Sequence, residues 1–212
     1  MTVPRGTLAV PVADPLAVET LAAFGRFASA RGWLAATSGN FSCRLDADHA
    51  LVTRSGIDKG AIGAGDVAVV PLAGPIPPGM SAETPLHVAR YRADAAIGAV
   101  VHVHTVAATV LSRAAAAAGC LRLNGFEMQK ALAGTTTHED VIELPVFAND
   151  QDTVALAARV ERRLNGTGNV PGYLLAGHGL YAWGTTMADA RRHLEGLEFL
   201  LACTLEERKL QR

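Results

Sequence analysis

The sequence predicts one α/β domain, residues 1–212, in which helices at both ends of the chain flank a largely antiparallel sheet. Apolar segments of strand length are joined by short turns, and segments of helix length stand near both ends. No repeat, linker or step in composition divides the chain. Half of the residues are hydrophobic and 18% are charged, which excludes an intrinsically disordered chain.

Boundary residues help to define the elements. Asp14 and Pro15 suit the start of the first helix, and Ser81 suits the start of the second. A polar turn at 46–48 separates the strands of a hairpin, and His178, between two glycines, separates the last two strands. The predicted elements are a helix at 14–31, a hairpin at 41–54, a strand at 67–72, a helix at 81–91, a strand at 98–104, a helix at 105–118, a short helix at 126–133, a strand at 141–147, a helix at 152–164, two strands within 173–183 and a helix at 187–210.

The spacing of apolar and charged residues supports four of these elements. Residues 98–104 form an apolar run that ends in histidines, as expected for a buried strand, and the Ala-rich run at 105–118 favours a helix. The segment 152–164 begins acidic and ends basic, which suits the helix dipole. The segment 187–210 has the amphipathic spacing of a long helix packed on a core.

Charge and hydropathy exclude several classes of partner. Nineteen basic and twenty acidic residues give a net charge of −1, which offers nucleic acid no basic surface. The uncharged run 95–112 contains two histidines, and therefore predicts a buried strand and helix rather than a membrane span. Residues 1–15 lack the apolar run of a secretory signal. Three scattered cysteines without a CxxC pair indicate reduced thiols and a cytoplasmic protein.

The histidines give the sharpest chemical signal. His102 and His104 point to one face of the predicted strand, so their imidazoles can converge on one metal ion, although an H-x-H pair also arises by chance. His178 is either a third ligand or a loop histidine with a hydrogen-bonded ring, and His138 is the spare candidate. Three neutral imidazoles with an open position describe a catalytic zinc site.

Short polar turns and two carboxylates complete the candidate site. The turns at 37–40, 55–56 and 81 offer N–H and hydroxyl donors for a phosphate, with Lys59 as a point charge, although each is also consistent with an ordinary turn. Glu83 lies in the first turn of a helix, where it also complements the helix dipole. Glu127 is either catalytic or a surface partner of Lys130.

Several motifs occur in one order along about residues 20–205. They are Thr37-Ser38-Gly39-Asn40, Ser55-Gly56, Ser81-Ala82-Glu83, His102-Val103-His104 and Gly177-His178-Gly179-Leu180. In this combination the sequence resembles the class II aldolase/adducin family. Further runs make it most similar to the family's dehydratases of methylthio-sugar phosphates. These runs lie at 53–60, 126–131, 137–139 and 147–152.

The resemblance implies a three-layer fold, with a central, mainly antiparallel sheet between helices, and a homotetramer with active sites at subunit interfaces. It assigns one zinc ion per subunit to His102, His104 and His178. It assigns the substrate phosphate to turns that contain Asn40, Ser55, Gly56 and Ser81. Ala82 replaces the second serine of the aldolase phosphate turn, so the sequence departs from the family pattern there.

The resemblance also implies a reaction: the removal of water from 5-methylthioribulose 1-phosphate to give 2,3-diketo-5-methylthiopentyl 1-phosphate in methionine salvage. Zinc would serve as a Lewis acid beside the ketone, while Glu127 would take the C3 proton and help the C4 hydroxyl leave. Glu83 stands where the aldolases carry their acid–base glutamate and is the second candidate for the base. The alternatives are a class II sugar-phosphate aldolase or 4-epimerase with the same zinc site, and a non-catalytic adducin-like module.

Overall fold

The computed structural model describes residues 13–165 and 170–211, in which an eight-stranded sheet lies between two layers of helices. The N-terminal 12 residues, from which the absence of a secretory signal was predicted, lie outside the described part. The elements are α1 (Pro15–Ala30), β1 (Asn40–Arg44), β2 (His49–Thr53), β3 (Val67–Pro71), α2 (Thr84–Ala93), β4 (Ala99–Val103), α3 (Val106–Ala115), β5 (Cys120–Leu123), β6 (Ile142–Phe147), α4 (Thr153–Leu164), β7 (Gly172–Leu175), β8 (Gly179–Gly184) and α5 (Met187–Leu210).

The strand order is β3-β2-β1-β4-β8-β7-β6-β5. All neighbouring pairs are antiparallel except β6 and β7, which run parallel. The prediction of a mainly antiparallel sheet flanked by helices is therefore confirmed. Strand β4 lies between β1 and β8, with neighbours on both sides, and its C-terminal end is where the histidine pair emerges.

Alternating side chains of the sheet build two separate cores. On one face, residues such as Phe41 and Val101 pack against α1, α3 and α5. On the other face, residues such as Val52 and Val100 pack against α2 and α4. Because both faces are covered, the central strands form continuous apolar runs in the sequence rather than alternating ones. The polar side chains of Asn40 and His102 lie opposite one another in the register of β1 and β4.

Side-chain caps define the starts of α1 and α4, and the cap of α1 at Asp14 was predicted. The Asp14 carboxylate accepts the Leu16 N–H at 3.0 Å, and Pro15 follows at the first position of α1. The Asp152 carboxylate accepts the Ala155 N–H at 2.9 Å and caps α4. Both caps satisfy backbone donors that a helix leaves without internal partners.

One sequence prediction is wrong, and two further details of the structure differ from the predictions. Ser81 does not cap the second helix, because α2 begins three residues later and its N-cap position is Glu83. The segment predicted as a short helix at 126–133 contains a 3₁₀ helix, Glu127–Ala131. The edge strand β5 was missed, because it has only four residues and includes the exposed Arg122.

The uncharged run 95–112 is divided between β4 and α3, as predicted. Within the described ranges, no helix combines the length and the apolar character needed to cross a membrane.

Candidate metal centre

Three histidines and one glutamate meet beyond the C-terminal end of β4. His102 and His104 leave the strand on one face, His178 comes from the turn between β7 and β8, and Glu83 comes from the start of α2. One ligand atom from each of the four residues lies within 4.8 Å of all the others. The sheet therefore brings together residues that are far apart in the sequence.

The Nε2 atoms of the three histidines face one another at hydrogen-bonding distance. His104 Nε2 lies 2.8 Å from His102 Nε2 and 2.9 Å from His178 Nε2. His102 Nδ1 lies 3.0 Å from the Leu180 carbonyl oxygen, which can only accept, so Nδ1 carries the hydrogen and Nε2 presents a lone pair. In many proteins, a metal-binding histidine is oriented by such a hydrogen bond from the ring nitrogen that does not bind the metal.

Burial keeps two of these rings neutral. It lowers the pKa of His102 well below its usual value, and the neighbouring His104 and His178 rings add to this effect. Burial also lowers the pKa of His104 to about 4, with a further contribution from His178. Neutral imidazoles are the form that binds metal ions, so the donor set fits a cation.

Glu83 offers an oxygen to the same point. Its Oε1 lies 3.2 Å from His178 Nε2 and 3.5 Å from His102 Nε2, and this buried atom has no hydrogen-bond donor among the described residues. Its Oε2 accepts a 2.6 Å hydrogen bond from Asn40 Nδ2. A buried carboxylate oxygen that faces nitrogen lone pairs is costly unless a cation lies between them. Three imidazoles and one carboxylate form a donor set suited to zinc.

Glycines flanking His178 allow the close approach of the strands. Gly177 adopts a left-handed backbone with φ of +68°, which favours glycine. A Cβ at Gly179 would collide with the Val103 carbonyl oxygen and lie only 2.9 Å from His102 Cε1. Any side chain at 179 would therefore push the first histidine away from its position.

Two further side chains support the histidine rings. Asn149 Oδ1 lies 3.3 Å from His178 Nδ1. The Tyr181 ring stacks on His102 with centroids 4.0 Å apart and an interplanar angle of 15°. Sequence reasoning missed Tyr181 and treated Asn149 only as part of a motif, since nothing local to either residue points to a histidine.

The predicted phosphate residues occupy several different settings in the structure. Lys59 is buried, and its Nζ donates to the Thr37 carbonyl oxygen at 2.7 Å. Burial lowers its pKa, whereas the nearby charge of Glu83 raises it. Thr37 has φ of +62°, and the buried Ser38 Oγ that follows has no partner within the described residues.

The remaining turns lie at the surface or serve Glu83. Ser55 is exposed, and Gly56 has φ of +71° with open space where a side chain would be. Ser81 is half-buried, and its Oγ accepts the Glu83 N–H at 3.2 Å. Asn40 is buried, and its amide is divided between Glu83 and His87.

The structure does not bring Glu127 to the histidines. Its side chain is 71% exposed, and its oxygens lie 2.6 Å from Lys130 Nζ and 3.5 Å from His138 Nδ1. The hydrogen bond from Lys130 lowers the pKa of this carboxyl. The exposed apolar side chains of Met128 and Phe199 border the same surface.

Comparisons with known proteins agree with this geometry. A protein named methylthioribulose-1-phosphate dehydratase from Parvibaculum lavamentivorans is 50% identical over 191 residues, covering 90% of this chain and 94% of that protein. One of the same name from Bradyrhizobium sp. is 51% identical over 198 residues, covering 91% and 92%. The crystal structure of L-fuculose-1-phosphate aldolase from Thermus thermophilus superposes with a TM-score of 0.76 at 31% identity, covering 92% and 95%.

The match extends to the family as a whole. Residues 19–205 match the family described as the Class II Aldolase and Adducin N-terminal domain. This range contains the eight strands, the four residues of the metal centre and Glu127. The chain therefore belongs to the class II aldolase and adducin N-terminal domain family.

Proposed function

We propose that this chain is a zinc-dependent dehydratase that converts 5-methylthioribulose 1-phosphate into 2,3-diketo-5-methylthiopentyl 1-phosphate and water, a step of methionine salvage. The single observation that carries the proposal is the meeting of three imidazoles and an unpartnered carboxylate oxygen at one point of the described structure. The half-identical relatives that are named as this dehydratase supply the substrate.

His102, His104 and His178 would hold one zinc ion per subunit, and the free oxygen of Glu83 faces the same point. Bound there, zinc supplies a Lewis acid for the oxygens of the ketose. The buried, neutral rings of His102 and His104 need no deprotonation before they bind a metal at neutral pH.

Glu127 is the proposed base. It would remove the C3 proton of the substrate, and that proton would leave with the C4 hydroxyl as water, after which the remaining enol becomes the diketone. Within one chain, however, Glu127 is 71% exposed, pairs with Lys130 and does not belong to the group of residues that forms the metal centre. We therefore propose that Glu127 reaches the centre of a neighbouring copy within a homotetramer.

The exposed apolar side chains beside Glu127 support a contact between copies. Phe199 is 49% exposed and Met128 is 41% exposed, and they adjoin one another on the surface that carries Glu127. Aromatic residues and methionine are enriched at subunit interfaces. A second copy seated there would remove both from water and place Glu127 at an interface.

The substrate phosphate is proposed to bind at the turns near Glu83. Lys59 contributes the one buried ammonium of the described residues, and the unpartnered Ser38 Oγ lies in the strained segment beside it. Asn40, Ser55, Gly56 and Ser81 remain the candidates that the family resemblance assigns to phosphate. Backbone N–H groups of such turns are suited to phosphate oxygens.

We further propose that residues 1–212 form one domain that works in the cytoplasm. The packing of α1 and α5, from opposite ends of the chain, in one core supports a single domain. The free state of Cys43, Cys120 and Cys203 supports a reducing compartment.

The decisive experiment is incubation of the purified chain with 5-methylthioribulose 1-phosphate, with and without a chelator. We expect a diketone product that disappears when the metal is removed and returns when zinc is added. Release of dihydroxyacetone phosphate from a sugar phosphate would instead favour an aldolase, the activity named for the 31%-identical structural neighbour. A chain with no bound metal and no turnover would favour an adducin-like module.

A further inference from the structure

A chain of buried polar side chains runs from the core under α2 to Glu83, and the proposed reaction gives no role to three of its members, Tyr91, Ser42 and His87. The Tyr91 hydroxyl lies 2.8 Å from Ser42 Oγ, which lies 2.7 Å from His87 Nδ1. His87 Nε2 contacts Asn40 Oδ1, and Asn40 Nδ2 lies 2.6 Å from Glu83 Oε2. The four residues behind Glu83 are at most 1% exposed.

Donor and acceptor chemistry gives every bond in this chain one direction. The Glu83 carboxylate only accepts, so the Asn40 amide nitrogen faces it and the amide oxygen faces His87. His87 must then carry its hydrogen on Nε2. Its Nδ1 accepts from the Ser42 hydroxyl, and Ser42 in turn accepts from Tyr91.

The ring of His87 must be neutral for this arrangement, since a charged ring would donate from both nitrogens. Complete burial lowers the pKa of His87 to about 3, so the ring is neutral under all ordinary conditions. Four hydrogen-bonded polar side chains in a core stabilise the fold little more than apolar side chains of the same shape would. A fully hydrogen-bonded network does, however, fix one arrangement of its members. The arrangement fixed here is that of Glu83.

We propose that His87 is a positioning residue that locks the Asn40 amide, so that one oxygen of Glu83 is held and the other faces the three imidazoles. The inference rests on the proposed function for the use of Glu83 at the metal. Hydrogen-bonded partners of metal ligands typically change metal affinity by about 10- to 100-fold when they are removed. His87 does not contact Glu83 itself but acts through Asn40, so we expect its removal to change metal affinity by about tenfold, the lower end of this range.

The test measures Co²⁺ binding to the metal-free full chain by visible absorption against a competing chelator. His87→Leu removes the donor to Asn40 and is expected to weaken Co²⁺ binding about tenfold. His87→Gln keeps an amide N–H that can donate to Asn40 and is expected to recover most of that loss. The matched control is His193→Leu, because His193 is also buried on a helix but bonds to the Trp183 carbonyl oxygen.

Co²⁺ binding is then measured for the same two His87 substitutions in chains that also carry Glu83→Ala. If His87 acts through Glu83, His87→Leu adds no further loss in that background, as a double-mutant cycle requires. Equal losses in both backgrounds, or no loss with Glu83 present, would overturn the positioning role while leaving the proposed function intact. A wild-type chain that does not bind Co²⁺ would contradict both.

A measurement on the wild type covers the case in which His87→Leu does not fold. The ¹⁵N chemical shifts of the His87 ring in the metal-free chain should show hydrogen on Nε2 and none on Nδ1, without change from pH 6 to 8. A ring with its hydrogen on Nδ1 would reverse the bond to Ser42 and break the chain, which would overturn the proposal.

Discussion

The metal centre and the segment around Glu127 differ in how much of their geometry one chain fixes. In the centre, the side chains of His102, Glu83 and His178 are 0%, 17% and 18% exposed. Glu127 is 71% exposed, and its two polar neighbours, Lys130 and His138, are 44% and 51% exposed. The first region is held by strand register and by buried partners, whereas the second is held by surface ion pairs.

This difference shows which half of the proposed chemistry a single chain can prepare. Strand register places histidines with little freedom, and the cost of ordering them is met when the sheet folds. Exposed ion pairs contribute little to the free energy of folding, and they do not hold a side chain in one geometry. We infer that the metal end is complete in one subunit and that the acid–base end depends on assembly.

The largest effect is expected from breaking the ordered region. His104→Ala removes the ring that lies within 2.9 Å of both other histidines. Turnover should fall by more than the roughly 100-fold that loss of a supporting residue costs, and metal content should fall well below one ion per chain. Metal analysis and a diketone assay check this, with His49→Ala in the distant hairpin as the control. Retention of one ion per chain would contradict the assignment of the centre.

The second test concerns the exposed region. Glu127→Gln should lower turnover by about 10²- to 10⁴-fold, the usual contribution of a general base, while metal content stays unchanged. Glu206→Gln is the matched control, because Glu206 pairs with Lys209 at 2.7 Å in the same i,i+3 spacing. Near-normal turnover of Glu127→Gln would remove it as the base and leave Glu83.

Mixing the two inactive variants sharpens the comparison. If Glu127 serves a neighbouring copy, subunits of His104→Ala and Glu127→Gln assembled together should regain about a quarter of wild-type turnover, because a quarter of the sites then combine both intact residues. A mixture without activity would indicate that Glu127 serves its own chain. The oligomeric state of each mixture, measured by light scattering, identifies mixtures that failed to assemble.

The third test concerns Glu198, a buried carboxyl beside the metal centre. Glu198 accepts the hydroxyl of Thr105, the residue after His104, at 2.9 Å, and burial raises its pKa to about 7 from an ordinary 4.5. The folded chain therefore keeps a proton that the unfolded chain loses, so this group's stabilisation is complete below pH 4.5 and is lost as pH rises to 7.

Glu198→Gln removes this titration. Its free energy of unfolding, minus that of the wild type, should rise by on the order of 3 kcal/mol or less between pH 4.5 and pH 8, measured by urea unfolding of the metal-free chain. Glu195→Gln, at an ion pair on the same helix, is the matched control for the substitution itself. A difference that does not vary with pH would mean that Glu198 is ionised in the folded chain.

The smallest effect is expected at the ion pair of Glu127. The hydrogen bond from Lys130 is the main cause of the lowered pKa of Glu127. Lys130→Met should therefore raise that pKa and move the acidic limb of the kcat/KM profile to higher pH. An unchanged limb would show that Glu127 loses this partner when the enzyme assembles, or that another group sets the limb.

The fold was predictable because its signals are local. A cap at Asp14, apolar runs of strand length and the glycines around His178 act within a few residues, and they place the main elements correctly. The four-residue strand β5 carries no such signal, since its place is decided by pairing with β6. Ser81 looks like a helix cap in sequence, but α2 begins only at Thr84. The Ser81 hydroxyl instead accepts the N–H of Glu83, the residue just before the helix.

The site was predictable only in part, because many of its contacts are long-range. The spacing of His102 and His104 on a strand is local and indicates a shared face. His87 and Tyr91 lie four positions apart on α2 and share a buried side, which is a local hint of polar contacts in the core. That hint does not reveal Asn40 or Ser42 as their partners, since these lie on strand β1, more than 40 residues earlier in the sequence.

The pairing of Asn40 with His102 across β1 and β4 links metal uptake to correct folding. If β1 slipped by one residue, Asn40 and Ser42 would turn to the opposite face of the sheet and abandon the helix that carries His87. Such a misaligned chain would keep most of its secondary structure, but without Asn40 behind Glu83 it would bind the metal ion less tightly. The affinity for a free metal ion would then distinguish native molecules from near-native ones that have the same circular dichroism spectrum.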